Sequence, residues 1–389
     1  MKTNNLCSEI GYLSLNHHGE QLCGDHIDVV EGDGSTVMVL ADGLGSGVKA
    51  SILSTLTSKI ISTMLAAGLD IRDAVETIAQ TLPVCSERRL AFSTFTIIRL
   101  DGSEYADIIQ YENPNVILIR GGESIDYPLD TMKIGEKTIL HSHISLEDGD
   151  VFIAMSDGVL NASDDGILNP DWDRDGVIEF AAPLWYSGFT AKTLASVLIE
   201  ETNRLYGGRP FDDATVGVIR IRRRSVMNIA IGPPKSRDDN RRMMSLLFAK
   251  EGKHIVCGGV TARIAAEYLG EPVNMNYTSP DPEIPAISEV NGIDLVTEGI
   301  ITLDRVLTYA EDYIKDNSSF EAWSYKKDGA SLLARMIFED ASDINLFIGQ
   351  AENPAHKDLP INFNVKMRIV NRLAECLRIM GKRVKVLYF

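Results

Sequence analysis

Much is missing from this 389-residue chain. Its five cysteines, Cys7, Cys23, Cys85, Cys257 and Cys376, are scattered, odd in number and form no CxxC pair. That argues against a disulfide framework or a zinc ribbon and makes a reduced, cytoplasmic compartment the expected one. No stretch reaches the ~18 apolar residues of a membrane helix. Met1-Lys2-Thr3-Asn4-Asn5 leads into no apolar segment, so no secretory signal is expected. Positive charge is scarce: 38 Lys and Arg stand against 55 Asp and Glu, a formal charge of −17. A phosphate-neutralising nucleic-acid face and a polybasic membrane surface both need the opposite balance, so neither partner is expected. There is no GxSxG elbow for a serine nucleophile, and no cysteine-phosphatase CxxxxxR loop is expected either. What is abundant is acid, and the question is which carboxylates only solvate the surface.

Residues 1–222 read as short strands with two groups of helices. Thr36–Ala41 is an apolar run of buried-strand length that ends at Asp42-Gly43. A helix is expected over Val48–Ala67, with Ile52, Leu56, Ile60 and Met64 as its buried stripe, and a second over Ile71–Thr81, stopped by Pro83. Strands are expected over Ala91–Leu100, Tyr105–Tyr111, Val116–Arg120, Thr138–Ile144 and Val151–Ser156. Helices follow over Val177–Leu184 and Ala191–Tyr206, then a strand over Ala214–Ile221. This grouping predicts an α+β domain of largely antiparallel sheets. Arg220, Arg222, Arg223 and Arg224 form a basic knot, read as a solvated strand end or linker.

The rhythm changes after Met227. Strands over Asn228–Ile231, His254–Cys257, Ile293–Val296, Asn345–Ile348 and Val384–Leu387 alternate with helices. Such alternation predicts a separate α/β domain with a mostly parallel sheet. The expected organisation is therefore residues 1–224 and 225–389.

Four acidic positions lie at or beside strand ends: Asp25, Asp42, Asp157 and the pair Asp212-Asp213. Carboxylates gathered at neighbouring strand mouths repel unless cations lie between them, and hard oxygen ligands suit Mg²⁺ or Mn²⁺. Two such ions can polarise a phosphoryl group. Gly43 frees the backbone to turn, which lets its carbonyl reach a metal. Other Asp-Gly pairs, Asp33-Gly34, Asp101-Gly102, Asp148-Gly149, Asp165-Gly166 and Asp175-Gly176, read as turns. Asp164, Asp165, Asp171, Asp173 and Asp175 form an acidic loop without EF-hand spacing. Arg88 and Arg89 precede Ser93-Thr94 and read as surface residues.

The run Leu40-Ala41-Asp42-Gly43-Leu44-Gly45-Ser46-Gly47 resembles the central motif of the metal-dependent (type 2C) protein serine/threonine phosphatases. Ser156-Asp157-Gly158 resembles their second motif, Phe211-Asp212-Asp213-Ala214-Thr215-Val216 their last, and Gly24-Asp25 their first acidic motif, all in family order. The short Gly-Leu-Gly-Ser-Gly form is similar to the bacterial branch typified by sporulation stage II protein E, over about Ser8–Arg222.

The resemblance implies an antiparallel β-sandwich flanked by helices. It also implies two Mn²⁺ or Mg²⁺ ions bridged by Asp42, one of them joined by the Gly43 carbonyl. Asp25 would hold the first metal, Asp157 and Asp212 the second, with Asp213 in support. A hydroxide bridging the metals would be the nucleophile, and the substrate a phosphoserine or phosphothreonine on a regulatory protein, of anti-anti-sigma type in that branch. Many eukaryotic relatives carry an arginine upstream of the first acidic motif. Here that stretch is Asn16-His17-His18-Gly19-Glu20-Gln21. His17 or His18 can donate a proton to a leaving group, or be plain loop residues. Two other readings stay open: a non-catalytic signalling module, and a hydrolase of small phosphate esters.

In the second domain, strand–Gly258-Gly259–helix and strand–Glu298-Gly299–helix put backbone amides at helix N-termini, with Thr261 able to cap or contact a ligand. Gln350, Asn353 and His356 follow a third such strand. A small anionic ligand at this edge is expected, within a regulatory domain.

Overall fold

The computed structural model describes residues 5–31, 35–81, 93–102, 104–134, 137–164, 167–275, 278–315, 317–351 and 363–389. Pro83, Cys85, Arg88, Arg89, Asn353, His356 and the pairs Asp33-Gly34 and Asp165-Gly166 lie outside them. The chain divides into two compact units, Met1–Arg223 and Arg224–Phe389.

In the first unit the elements run β1 (Leu6–Leu15), β2 (Asp25–Glu31), β3 (Ser35–Gly43), α1 (Gly47–Ala66), α2 (Ile71–Thr81), β4 (Ser93–Asp101), β5 (Tyr105–Tyr111) and β6 (Ile117–Arg120). Then come β7 (Glu123–Ser124), β8 (Asp130–Ile134), β9 (Lys137–Ser145), β10 (Val151–Met155), α3 (Asp157–Leu160), β11 (Ser163–Asp164), β12 (Ile167–Leu168), α4 (Arg174–Ala181), α5 (Ala191–Leu205) and β13 (Ala214–Arg223). Two antiparallel sheets result, ordered β1-β13-β10-β6-β7 and β2-β3-β4-β5-β9-β8. Met38, Leu40, Ile98 and Ile108 of one sheet pack with Leu118, Phe152, Ala154 and Ile219 of the other. The outer face of one sheet is covered by α1 and α2 through Ile61, Leu65, Ala74 and Ile78. The other is covered by α4 and α5 through Val177, Leu194 and Leu198. This is the expected α+β sandwich with flanking helices.

The expected stripe on α1 holds only in part: Ile60 and Met64 are half-buried and pack against the core, but the first two residues do not. Ile52 and Leu56 are 53% and 44% exposed, while Ala50, Ser54, Thr57, Ser58, Ile61, Ser62 and Leu65 are buried. Small polar residues face β2 because β2 offers partners. Ser58 Oγ meets His26 Nδ1 at 2.8 Å, Lys59 Nζ reaches Asp28 at 2.5 Å, and Ser62 hydrogen-bonds Asp28. Apolar periodicity alone therefore misplaced the buried face in the first half of the helix. Asp175-Gly176 is no turn: it opens α4, whose cap is Asp173, accepting from Asp175 N and Gly176 N. The basic knot is not free either. Arg220 donates to the Gly188 and Phe189 carbonyls, and Arg222, Arg223 and Arg224 pair with Glu9, Asp148 and Asp343.

The second unit runs β14 (Val226–Ile231), α6 (Asn240–Phe248), β15 (Lys253–Cys257), α7 (Gly259–Leu269), β16 (Asn274–Met275), β17 (Ser288–Glu289), β18 (Leu295–Thr297) and α8 (Ile300–Lys315). It ends with α9 (Phe320–Ser324), α10 (Gly329–Ala334), β19 (Asp343–Ile348), α11 (Phe363–Ile379) and β20 (Arg383–Tyr388). Strands β18-β15-β14-β19-β20 are parallel, and β17 and β16 add an antiparallel edge. The sheet is thus mixed, with the short edge hairpin unforeseen. Alternate residues of β14 and β15 pack on opposite faces: Ile229, Ile231 and Ile255 with α8, α10 and α11, Ala230 and Val256 with α6 and α7. The chain winds outward to β18 on one side of β14, then returns to β19 on the other, the doubly wound order. Among the described residues no helix is long and apolar enough to cross a membrane.

Candidate active site

Hydrogen bonding between β2 and β3 sets Asp25 directly opposite Asp42. Gly43 N donates to the Gly24 carbonyl at 3.1 Å, so the first two acidic motifs form one ladder end. A Cβ on Gly43 would lie 2.1 Å from the Ala50 carbonyl. Only glycine lets α1 fold back this close behind Asp42.

The other two motifs meet on the facing sheet. Asp157 does not end β10, as its sequence context suggested, but opens the short helix α3 two residues after the strand stops. Ser156 N donates to the Thr215 carbonyl at 3.0 Å. A Cβ on Gly158 would strike the Asp213 carbonyl at 2.1 Å, so Ser156-Asp157-Gly158 is pressed against Asp212-Asp213. The Ser156 hydroxyl ties the two halves together. Ser156 Oγ, fully buried, donates to Asp25 Oδ2 at 2.7 Å and accepts from Thr215 N at 2.9 Å. Tyr206 supports the same corner: its hydroxyl donates to the Gly158 carbonyl at 2.7 Å, and its ring meets Phe211 edge-on.

Asp213 is enclosed within the same corner. It is 3% exposed, and its Oδ1 accepts from His17 N at 2.9 Å. That bond brings the His17 backbone to the corner, with its Nδ1 buried and unpartnered. His18 is exposed, and its amide donates to the Pro210 carbonyl.

The electrostatics are those of crowded acids. Burial, then the charges of Asp25, Asp157 and Asp212, pushes the Asp42 carboxyl up to about 9. Asp25 is pushed up to about 7 by burial, against the lowering hydrogen bonds of Ser156 and Thr215. Asp212 rises to about 6 through burial and Asp157. The neighbouring Cys23 thiol is raised by burial and by Asp25 and Asp213, and the Tyr206 hydroxyl by burial, Asp212, Asp157 and Asp25. Oδ1 of Asp25 and Oδ2 of Asp213 are buried without a hydrogen-bond partner. An all-carboxylate donor set with an orphaned buried oxygen fits a hard divalent cation. Among the described residues no three Asp, Glu, His or Cys side chains already close on one metal position.

Ser156, Thr215 and Tyr206 escaped the sequence reading. The first two lie inside motifs whose aspartates drew attention, whereas no pattern marks Tyr206. The expected absence of a CxxxxxR loop needs correcting: Cys257 and Arg263 stand at the spacing of that loop in cysteine phosphatases. The structure excludes that use. Cys257 is 1% exposed, burial pushes its thiol up to about 12, and α7 already begins at Gly259; a nucleophilic thiol needs the opposite shift.

Residues 32–222 match the family model "Stage II sporulation protein E (SpoIIE)". Over these residues the chain is similar to the SpoIIE family domain. Stage II sporulation protein E of Bacillus subtilis (strain 168) is 26% identical over 209 residues, which are 52% of this chain and 24% of that protein. The chain thus spans about a quarter of the length of its curated relative. A structure of the PP2C phosphatase domain and a regulatory fragment of SpoIIE from Bacillus subtilis is similar at 23% identity and a TM-score of 0.48, covering 56% of this chain and 63% of that one. RsbX in complex with magnesium is similar at 22% identity and a TM-score of 0.41, covering 55% and 95%. The SpoIIE match begins at residue 32, so Asp25 and His17 lie upstream of it.

Proposed function

We propose that the first unit is a metal-dependent phosphatase acting on phosphoserine or phosphothreonine of a cytoplasmic regulatory protein, with anti-anti-sigma-type proteins as the first class to test. The observation that carries this reading is the convergence of Asp25, Asp42, Asp157 and Asp212 into one corner, where burial and the neighbouring carboxylates raise the proton affinity of Asp25, Asp42 and Asp212. Asp42 and the Gly43 carbonyl, with Asp25 on one side and Asp157 and Asp212 on the other, would hold two Mn²⁺ or Mg²⁺ ions. Such ions supply charge stabilisation of the phosphoryl group and a nucleophile derived from water.

The chain's own residues do the rest. Ser156 fixes the Asp25 carboxylate through a short buried hydrogen bond. Tyr206 holds the Gly158 backbone, and with it the helix opened by Asp157. Asp213 ties the His17 loop to the corner, leaving His17 as the nearer of the two histidines to act as a proton donor. Binding ions must displace protons from Asp42 and Asp25, so affinity rises with pH.

The test is a substrate panel with purified protein. Phosphate release from a phosphoserine protein in Mn²⁺, much faster than from small phosphate esters at equal concentration, supports the reading. Preference for small esters would make the protein a metabolite phosphatase. Metal binding without turnover on any substrate would make it a signalling module.

A further inference from the structure

Four adjacent parallel strands of the second unit end at glycine: β19 at Gly349, β14 at Gly232, β15 at Gly258 and β18, after Glu298, at Gly299. Backbone hydrogen bonds lock these ends into one row. Gly349 N donates to the Ile231 carbonyl, Gly232 N to the Cys257 carbonyl and Gly258 N to the Thr297 carbonyl, at 3.0, 3.3 and 3.0 Å. The β14/β19 end of the row is filled by Lys366, whose Nζ donates to the Gly349 carbonyl at 2.6 Å. The β15/β18 end is open. Among the described residues a Cβ on Gly259 would meet nothing within 4 Å, and one on Gly299 only the Gly258 Cα at 3.6 Å. Gly258 has φ +116°, which only glycine adopts readily.

Two long helices, α7 and α8, start side by side at this open end, and no side chain caps α7. Helix starts alone make no site. Here each carries in its first turn a threonine hydroxyl that is fully buried and unpartnered: Thr261 Oγ1 and Thr302 Oγ1. Thr261 Oγ1 is turned back over the strand end, 3.3 Å from where a Gly258 Cβ would be. In the turn between β18 and α8 stands Glu298, whose Oε2 is also buried without a partner. A folded protein leaves few such groups unmade, and three at one sheet edge have the complementarity of a ligand: hydroxyl and amide donors beside one carboxylate acceptor.

We infer that this edge binds a sugar phosphate, free or as the ribose phosphate of a nucleotide. The phosphate takes the amides that open α7 and α8 together with the Thr261 and Thr302 hydroxyls. Glu298 accepts a hydrogen bond from a sugar hydroxyl, and its charge keeps the phosphate itself on the threonine side. Cys257 takes no part, being turned into the core.

The test uses the full chain in EDTA, which keeps divalent ions out of the first unit. Thermal shift and calorimetry are run with ribose 5-phosphate, AMP, adenosine and inorganic phosphate, on wild type, Thr261→Val and Glu298→Gln. The expected result is saturable binding of ribose 5-phosphate or AMP, and little of adenosine. The better of the two phosphates names the source. Thr261→Val weakens that binding about tenfold or more, yet melts no lower than wild type without ligand, because it removes a hydroxyl that has no partner. Glu298→Gln weakens the sugar phosphate and leaves inorganic phosphate unchanged. The inference is overturned if neither sugar phosphate binds at millimolar concentration, if Thr261→Val binds as wild type does, or if Glu298→Gln weakens both phosphates alike.

Discussion

Ser156 joins the two sheets at the acidic corner, and its replacement is the sharpest residue-scale test of how that corner is built. Ser156→Ala leaves Asp25 Oδ2 and Thr215 N without their shared partner. The loss should cost about 1–3 kcal/mol of unfolding free energy, read by denaturant melts. It should also weaken Mn²⁺ binding, because the Asp25 carboxylate is no longer held; unchanged Mn²⁺ affinity would contradict the role given to Ser156. Tyr206→Phe removes a single neutral hydrogen bond to the Gly158 carbonyl and should cost about 1 kcal/mol. The aspartates were legible in the sequence because each sits in a short motif beside a strand end, three of the four motifs carrying a glycine next to the aspartate. Their supports were not, since a serine, a threonine and a tyrosine become visible only when chain segments far apart in sequence are brought together.

Among the elements, α1 shows where periodicity misleads. The i, i+4 run of Ile52, Leu56, Ile60 and Met64 is a real pattern, but the buried face is chosen by His26 and Asp28 on β2, which pair with serines and a lysine. Ile52→Ser should therefore change stability by less than about 0.5 kcal/mol, whereas Ile61→Ala, in the core, should cost about 2–5 kcal/mol. Equal costs in chemical denaturation would restore the stripe read from sequence. At α4 the reverse holds: Asp173, read as one of a solvated acidic loop, caps the helix. Asp173→Ala should cost about 1 kcal/mol. The strand–helix alternation of the second unit was plain because buried parallel strands are short apolar runs. Its edge strands β16 and β17 have two residues each, too few for any period to register.

At the scale of the molecule the formal charge of −17 is the acid left over once cations are balanced. Glu9, Asp148 and Asp343 add nothing to it, since the arginines of the basic knot pair with them. A small part is concentrated at Asp25, Asp42 and Asp212, where burial and mutual repulsion raise the folded-state proton affinity. A carboxyl raised from 3.8 to about 9, as at Asp42, binds its proton more tightly folded than unfolded. It therefore favours folding at low pH, and that contribution is lost as pH rises from about 4 towards 9. In EDTA the melting temperature should fall with pH over this range, and Asp42→Asn should flatten the fall. Mn²⁺ should restore stability chiefly at the alkaline end.

The most direct measurement is phosphate release from a phosphoserine protein by wild type and Asp42→Asn, each titrated with Mn²⁺. The account predicts turnover by wild type that saturates with Mn²⁺, vanishes in EDTA and is reduced by orders of magnitude in the variant. Equal turnover by the two proteins, or turnover by wild type that EDTA leaves untouched, would contradict it.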